Sequence, residues 1–568
     1  MANPSELPYV QETSGETLGL KRKFLVHLVL IVLLAVNVIV LYVLHFADNS
    51  TNVKVTSDSF ASAPSDISNK VVSFNDDGSI RAGAGTTAYL DAAPLPSDDL
   101  GYFYVARSGL TTSNTALVSY YLSNKTTSVL TTLTVGKDNT ASLAAAAPAN
   151  VVPKVQFQGL ATLNDKQAVV LESAAGNISA VLATIGADKS VSYVTANRAA
   201  VATGSFSNTI GRISATQFAI TSFEPYVDEN TTYYQTINVG TVSGDGAITM
   251  AAPLRFGFAN GAGDANVNSK PQQVPAIPGG FLVTYFNTKA INASGLCVLL
   301  ASVNASGVTQ QDQVCNKLYQ PVYFLDTTTL ADNLIALAFY DKNNNNALTI
   351  ATVGVSSAGK LVFRGDYVMQ SAAGAFDFGS FYSWYPKPNV QSLGSNRLAV
   401  LFLNPANAGR PTTQVFKVSE SFALTPVTPL MRLSNGDFTL TGTTPKAISG
   451  VVTLDLLPIS NTTYVATYSG KLNQVAHKRV SVVEFLGKPI GVGSSSKSIV
   501  MSGAAKVDNA DFTAGKEYFA TTKGDILVAT STDAGADYYF VGNTTVVSKD
   551  SRVGVAVTKN TIYVSSTL

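Results

Sequence analysis

From Gly101 to about residue 500 the chain is a succession of short apolar runs separated by clusters of Gly, Asn, Asp, Ser or Pro. No run shows the three-to-four-residue spacing of an amphipathic helix, so the pattern predicts strands joined by tight turns. The most apolar runs are ALVSYYL (116–122), QAVVLE (167–172), QFAITSF (217–223), GFLVTYF (280–286), NLIALAFY (333–340), NRLAVLFL (396–403) and TYVATYS (463–469). Each precedes a turn and a Thr/Val-rich partner, among them ISAVLATI, YYQTINVGTV, LCVLLASV, LTIATVGV, TQVFKV and RVSVVEF. After most partners a small turn leads into a further short run, as in GAITM and GKLVF. Seven strand-pair units thus recur at intervals of roughly 50 to 65 residues.

A strand that is apolar along its whole length has two faces to bury, and radial stacking of small sheets covers both. By this pattern, across about 400 residues, the chain resembles β-propeller repeats. The resemblance implies an all-β fold with a seven-bladed β-propeller over 101–504. Tandem β-sandwiches of Ig-like topology are the alternative. They lack the expected Cys…Trp…Cys spacing, and the sole tryptophan, Trp384, falls in FYSWYPKPN. No family motif accompanies the pattern: there is no repeated Trp-Asp dipeptide, no Gly-Gly pair in each unit and no series of Ser-x-Asp-x-Gly boxes. Ser531, Asp533 and Gly535 make one isolated match outside the repeats.

The tail, 505–568, reads as a compact set of hairpins. Its order of Gly-x-x-Tyr, Thr-x-x-Gly-x-Ile-Leu and Val-Gly-x-Ala resembles small β modules that end phage tail fibres and surface proteins, which implies an accessory or assembly role. The other reading is that these strands close the propeller or pack beneath it.

At the opposite end, residues 24–46 read FLVHLVLIVLLAVNVIVLYVLHF. About 20 apolar residues suffice for a helix to cross the hydrocarbon core. Lys21, Arg22 and Lys23 precede the stretch, so the positive-inside bias leaves 1–23 cytoplasmic and sends the rest outward or into a lumen. Tyr42, His45 and Phe46 suit the far interface. A cleaved signal peptide is the competing reading, but its apolar region spans about 7–15 residues and ends near a small-residue cleavage site. The expectation is therefore an uncleaved, single-pass signal anchor in the plasma membrane rather than the Golgi or endoplasmic reticulum. Asn37 is either one tolerated polar residue or a promoter of helix dimerisation. Residues 47–100, rich in Ser, Asp, Ala and Pro, read as a stalk with a first strand at KVVSF (70–74).

Composition supports this outline. Hydrophobic residues make up 46% and charged ones 13%, against about 25% charged in ordinary soluble domains. The 38 basic and 37 acidic residues are spread out, giving a net charge of +1, and no basic face points to nucleic acid. N-glycosylation sequons occur at Asn49, Asn124, Asn177, Asn230, Asn292, Asn304, Asn461 and Asn543. Chance gives roughly seven in such a sequence, so placement in turns carries more weight than number. If NASG (304–307) turns a hairpin, Cys297 faces about position 314, within one residue of Cys315. That spacing fits a cross-strand disulfide in an oxidising compartment, with two separate buried thiols as the alternative.

Candidate chemistry is sparse. Of three histidines, His27 and His45 belong to the membrane stretch, leaving His477 beside Lys478 and Arg479. No catalytic, metal or cofactor constellation follows from such spacing. Two carboxylates about 5–10 Å apart would suffice for a glycosidase, but Asp326, Asp341, Asp366, Asp377 and Glu484 have no distinguishing neighbours. Asp341, Asn343 and Asn345 resemble the start of a calcium loop but lack its Gly and bidentate acid, so a hairpin turn fits better. Phe381, Tyr382, Trp384 and Tyr385 are candidates for a ligand-stacking platform, or for core packing beneath a loop. The expectation is a non-catalytic, membrane-anchored glycoprotein that recognises a protein or glycan. A carbohydrate-active enzyme with carboxylates in the channel, or a structural coat or filament, are the alternatives.

Overall fold

The computed structural model describes residues 53–565 apart from inter-strand segments, the main ones being 57–66, 91–99, 107–114, 261–269, 288–294, 370–387, 434–452 and 531–537. The apolar stretch 24–46 lies outside the described residues. Among the described ones no helix is long and apolar enough to cross a membrane.

Consecutive strands form seven antiparallel sheets, or blades, over 100–153, 156–203, 206–260, 272–316, 321–369, 389–432 and 453–485. In blade 2 the strands, lettered A to D, are Gln156–Asn164, Gln167–Ala174, Asn177–Ile185 and Val191–Thr203. The A strands touch one another in sequence around the ring, and that of blade 7 (Thr453–Pro458) touches that of blade 1 (Leu100–Ala106). A closed seven-bladed β-propeller results. Tandem sandwiches do not form, because each sheet packs on both sides rather than pairing off.

The period-2 alternation of strand side chains explains the stacking. In strand B of blade 2, Ala168 and Val170 pack with Leu117 and Leu130 of blade 1, while Val169 and Leu171 pack with Phe218 and Ile220 of blade 3. All are fully buried. Each such Val or Leu contributes about 1.5–3 kcal/mol on burial. The near-continuous apolar runs are therefore strands with a neighbour on each face.

Blade 7 has only three strands of its own, Thr453–Pro458, Thr463–Leu472 and Val475–Phe485. Its fourth comes from the other end of the chain: Thr86–Tyr89 pairs with Val475–Phe485, Thr86 opposite Phe485. Most of 47–100 was expected to be a stalk with a first strand at 70–74; that strand is Val71–Phe74, and Val53–Thr56 and Ile80–Ala82 lie in a sheet with it. That sheet unites them with Gly491–Ser495, Ser498–Lys506, Glu517–Ala520, Ile526–Val528, Arg552–Thr558 and Thr561–Ser565. The tail is thus half of a composite module. Its remaining hairpin, Tyr538–Val541 with Thr545–Ser548, extends blade 7 beyond Thr86–Tyr89. Arg432 of blade 6, buried, lies over the rings of Tyr538 and Phe540 and donates to the Tyr538 hydroxyl at 3.2 Å.

The link into the closing strand runs through Gly83 and Gly85, at φ +98° and +71°. A Cβ on Gly83 would overlap the Thr522 carbonyl, and one on Gly85 the Ser551 hydroxyl. Only glycine allows the chain to thread this way.

Blades 1, 2, 3, 5 and 6 share one C–D turn, at 136–140, 186–190, 243–247, 356–360 and 419–423. In each, the first N–H bonds the fifth carbonyl, as from Gly136 to Thr140 at 2.7 Å and from Ser419 to Ala423 at 2.9 Å. Asp138, Asp188 and Asp245 hold the third position and accept from the hydroxyls of Thr140, Ser190 and Ser243. Those bonds keep the three carboxyls below the usual carboxylate range. Beyond the turn the D strand breaks step with strand C: Ala144, Ala251 and Val427 donate to Thr132, Val239 and Val415, and Pro253 and Pro429 follow shortly after. Irregular outer edges discourage sheet-to-sheet association.

Cys297 and Cys315 form a disulfide on strands C and D of blade 4 (Gly295–Asn304 and Gly307–Asn316), with Cα atoms 4.0 Å apart. The hairpin turns at Asn304 and Gly307 as expected, and a bulge that leaves Gln311 unpaired advances the register by one, onto Cys315.

Gly85→Ala is expected to cost about 3 kcal/mol through strain and overlap and to expose the N-terminal segment to protease; an unchanged denaturation midpoint would contradict the threading. Replacing both cysteines by Ser is expected to remove about 3 kcal/mol, read as a lowered Tm that dithiothreitol reproduces in the parent protein.

Candidate functional site

Strand order gives the ring two unlike ends. A–B and C–D links lie at one end, and B–C and D–A links at the other. At the first, several A–B links are pairs of residues (165–166, 332–333, 395–396) and the C–D links are the turns described above. The longest links of the ring, 261–271, 370–388 and 433–452, are all D–A connections and belong to the second end. Ligand-contacting residues concentrate on long links held by a rigid scaffold, which makes the B–C/D–A end the candidate binding face.

The predicted site residues distribute unequally. Asn124, Asn177, Asn230 and Asn292 fall at the B–C links of blades 1 to 4, one to a blade. Asn177, the described one, is exposed and sits opposite Ala174. Asn304 and Asn461 are exposed at the opposite end, in the C–D link of blade 4 and the A–B link of blade 7. Asn49, Asn124, Asn230, Asn292, Asn543, Asp377, Phe381, Tyr382, Trp384 and Tyr385 lie outside the described residues.

The described carboxylates considered as acids each serve the scaffold. Asp326 is buried on the A strand of blade 5 and accepts from the Val390 N–H of blade 6 at 3.1 Å. Asn389 repeats the device toward Leu456 of blade 7, and Thr327 and Thr329 donate to the carbonyls of Lys270, just before blade 4, and of Gln273 in blade 4. Inner-strand polar groups thus stitch neighbouring blades. Asp341 accepts from the Asn343 N–H and the Asn344 amide, making the turn expected there. Asp366 accepts from the Tyr319 hydroxyl at 3.0 Å. Burial, followed by the charge of Asp366, pushes that phenol above the usual tyrosine range. His477 lies in Val475–Phe485, opposite Gly470. Among the described residues no group of three or more His, Cys, Asp and Glu could hold a metal ion.

Two polar clusters were not foreseen. Glu172, 1% exposed, sits at the seam of blades 1 and 2, accepting from the Tyr193 hydroxyl and pairing with Arg198 Nε at 2.5 Å. A break in register between strands C and D of blade 2 brings Tyr193 and Arg198 to the same carboxylate. With both oxygens engaged, Glu172 is a clamp. Its sequence signal was the lone charge closing the apolar run QAVVLE.

The second cluster joins the composite module to blades 1 and 7. Lys523 Nζ donates to the Asp138 carbonyl at 2.5 Å and lies 4.7 Å from the centre of the Tyr89 ring. The Tyr89 and Thr522 hydroxyls are 3.0 Å apart. Glu484 accepts from the Asn139 amide at 2.9 Å and lies 4.0 Å from Arg81. Burial, reinforced by the Glu484 charge against the opposing Thr522 hydrogen bond, pushes the Tyr89 phenol up to about 12.

Two measurements test these clusters. Arg198→Ala leaves Glu172 buried with Tyr193 alone and should cost about 2 kcal/mol, since Arg198 is itself half-exposed. Tyr89 keeps its proton in the folded state above the ordinary tyrosine value near 10. Its contribution is therefore full below pH 10 and is lost as pH rises from 10 toward 12. Denaturant melts across that window should show the parent losing more stability than Tyr89→Phe.

No family model matches the sequence, and no curated protein matches it. Among solved structures, the chain is similar to a protein from Lactobacillus plantarum at 13% identity and a TM-score of 0.41, covering 73% of this chain and 98% of that one. It is also similar to a protein of unknown function from Dyadobacter fermentans at 9% identity and a TM-score of 0.36, covering 71% and 100%. At these values the likenesses carry no argument about function; the fold stands on its own ring of blades.

Proposed function

We propose that this chain is a non-catalytic binding propeller, anchored in the plasma membrane by residues 24–46 and displayed outside the cell, which recognises a protein or glycan at its B–C/D–A end. The observation that carries this reading is the inequality of the two ends: one is tied off by short hydrogen-bonded turns, the other bears every long D–A link. A propeller with this asymmetry presents one variable surface on a stiff support, which is what recognition without chemistry requires. The Cys297–Cys315 disulfide supports an oxidising compartment. Exposed Asn177, Asn304 and Asn461 are proposed glycan acceptors. The link 370–388 carries Phe381, Tyr382, Trp384 and Tyr385, aromatic groups suited to stacking on a sugar or peptide.

The full-length protein in nanodiscs, applied to a glycan array and a panel of cell-surface ectodomains, tests the reading. Saturable binding without turnover is expected, weakened at least about tenfold when Trp384 and Tyr385 become Ala, the loss of two hot-spot aromatics, with an unchanged Tm. Release of free sugar would favour a hydrolase instead.

A further inference from the structure

The route of the chain between propeller and module fixes which end of the ring faces the anchor. Besides 529–537 and 549–551, which also meet blade 7 at the end where Tyr538 pairs with Ser548, two links join the bodies, 83–85 and 486–490, and both lie at the C–D end of blade 7, where Thr86 pairs with Phe485. The hydrogen bonds of Gly85 N–H to the Gly487 carbonyl and of Leu486 N–H to the Gly85 carbonyl, both under 3 Å, tie them together. Asp138 and Asn139, which meet Lys523 and Glu484, sit in the C–D turn of blade 1 at the same end. The composite module is therefore fastened to the A–B/C–D end of the ring.

The module's first strand, Val53–Thr56, is paired to Ser498–Lys506, with Val53 opposite Ser502. In the sequence only residues 47–52 separate it from the apolar stretch 24–46. Six extended residues reach at most about 20 Å. The strands of the ring, such as the nine residues Ala347–Val355, hold its ends roughly 30 Å apart.

We infer that the composite module rests at the lipid headgroup surface and that the propeller stands with its A–B/C–D end toward the bilayer and its B–C/D–A end turned away. The inference rests on the anchor reading in the proposed function and adds an orientation to it. Instead of swinging on a long stalk, the ring is held by a paired strand that begins a few residues beyond the membrane. A partner then reaches the long D–A links from the far side, Asn177 lies on that side, and Asn304 and Asn461 face the lipid.

Energy transfer in nanodiscs tests this. Full-length protein is labelled with a donor at Ala504→Cys, exposed in the module two residues from Ser502, or at Lys342→Cys, exposed in the B–C link of blade 5. The acceptor is a headgroup-labelled lipid. Transfer from position 504 should exceed that from 342 several-fold. Glu420→Cys, in the C–D turn of blade 6, should also exceed 342, and serves if the Ala504 variant does not fold. Equal or reversed transfer in protein that resists alkaline carbonate extraction overturns the orientation alone. Release of the protein by carbonate overturns the anchor and the orientation together.

Discussion

The whole architecture follows from strands that are apolar on both faces. A row of seven such sheets would leave the outer faces of the first and last in water, so the row has to close. Closure is completed by Thr86–Tyr89, where Ala88 is fully buried among residues of blades 5 to 7. A strand from before blade 1 thereby becomes the outer strand of blade 7, and opening the ring requires stripping it from the sheet.

Closing the ring in this way shapes what lies outside it. Once Thr86–Tyr89 is in place, the segments before it and those after Phe485 emerge at one end of one blade, and there they pair into a single sheet. The hairpin Tyr538–Val541 with Thr545–Ser548 continues blade 7 outward and rests on Arg432. The side of the ring committed to this module also carries the tight turns, which leaves the other side for the long links. Polar side chains follow the same division: Asp326 and Asn389 spend their hydrogen bonds across seams between blades, and Glu172 spends its own within blade 2, where an unpaired buried group would be costly.

Much of this was legible in the residues. The B strands announced themselves because six to eight consecutive positions with two buried faces leave little room for polar residues, and their recurrence gave the blade count. The disulfide was legible to within one residue, the remaining one being the bulge at Gln311, which no local pattern signals. The C–D turns were legible as small turns after the Thr/Val-rich strands, but their shared motif was not, because the box sought has Ser and Gly at fixed places. In blades 1 to 3 the repeating feature is instead an Asp three residues after the last apolar residue of strand C, as in Val135 to Asp138 and Ile185 to Asp188. The strand at 70–74 was legible as an apolar run, but Val53–Thr56 and Ile80–Ala82 are three or four residues long, too short for an alternation to declare itself among Ser and Asp.

The residues alone determined the strand class, the near-sevenfold repeat, the near-facing placement of the two cysteines and an apolar stretch near the start, because each depends on neighbours within a few tens of positions. Tertiary structure decided which segment closes the ring, that the first and last portions share a sheet, and which end of the ring is left with the long links. Those outcomes depend on contacts between residues some four hundred positions apart, such as Thr87 with Thr522, and no local periodicity encodes a partner that distant.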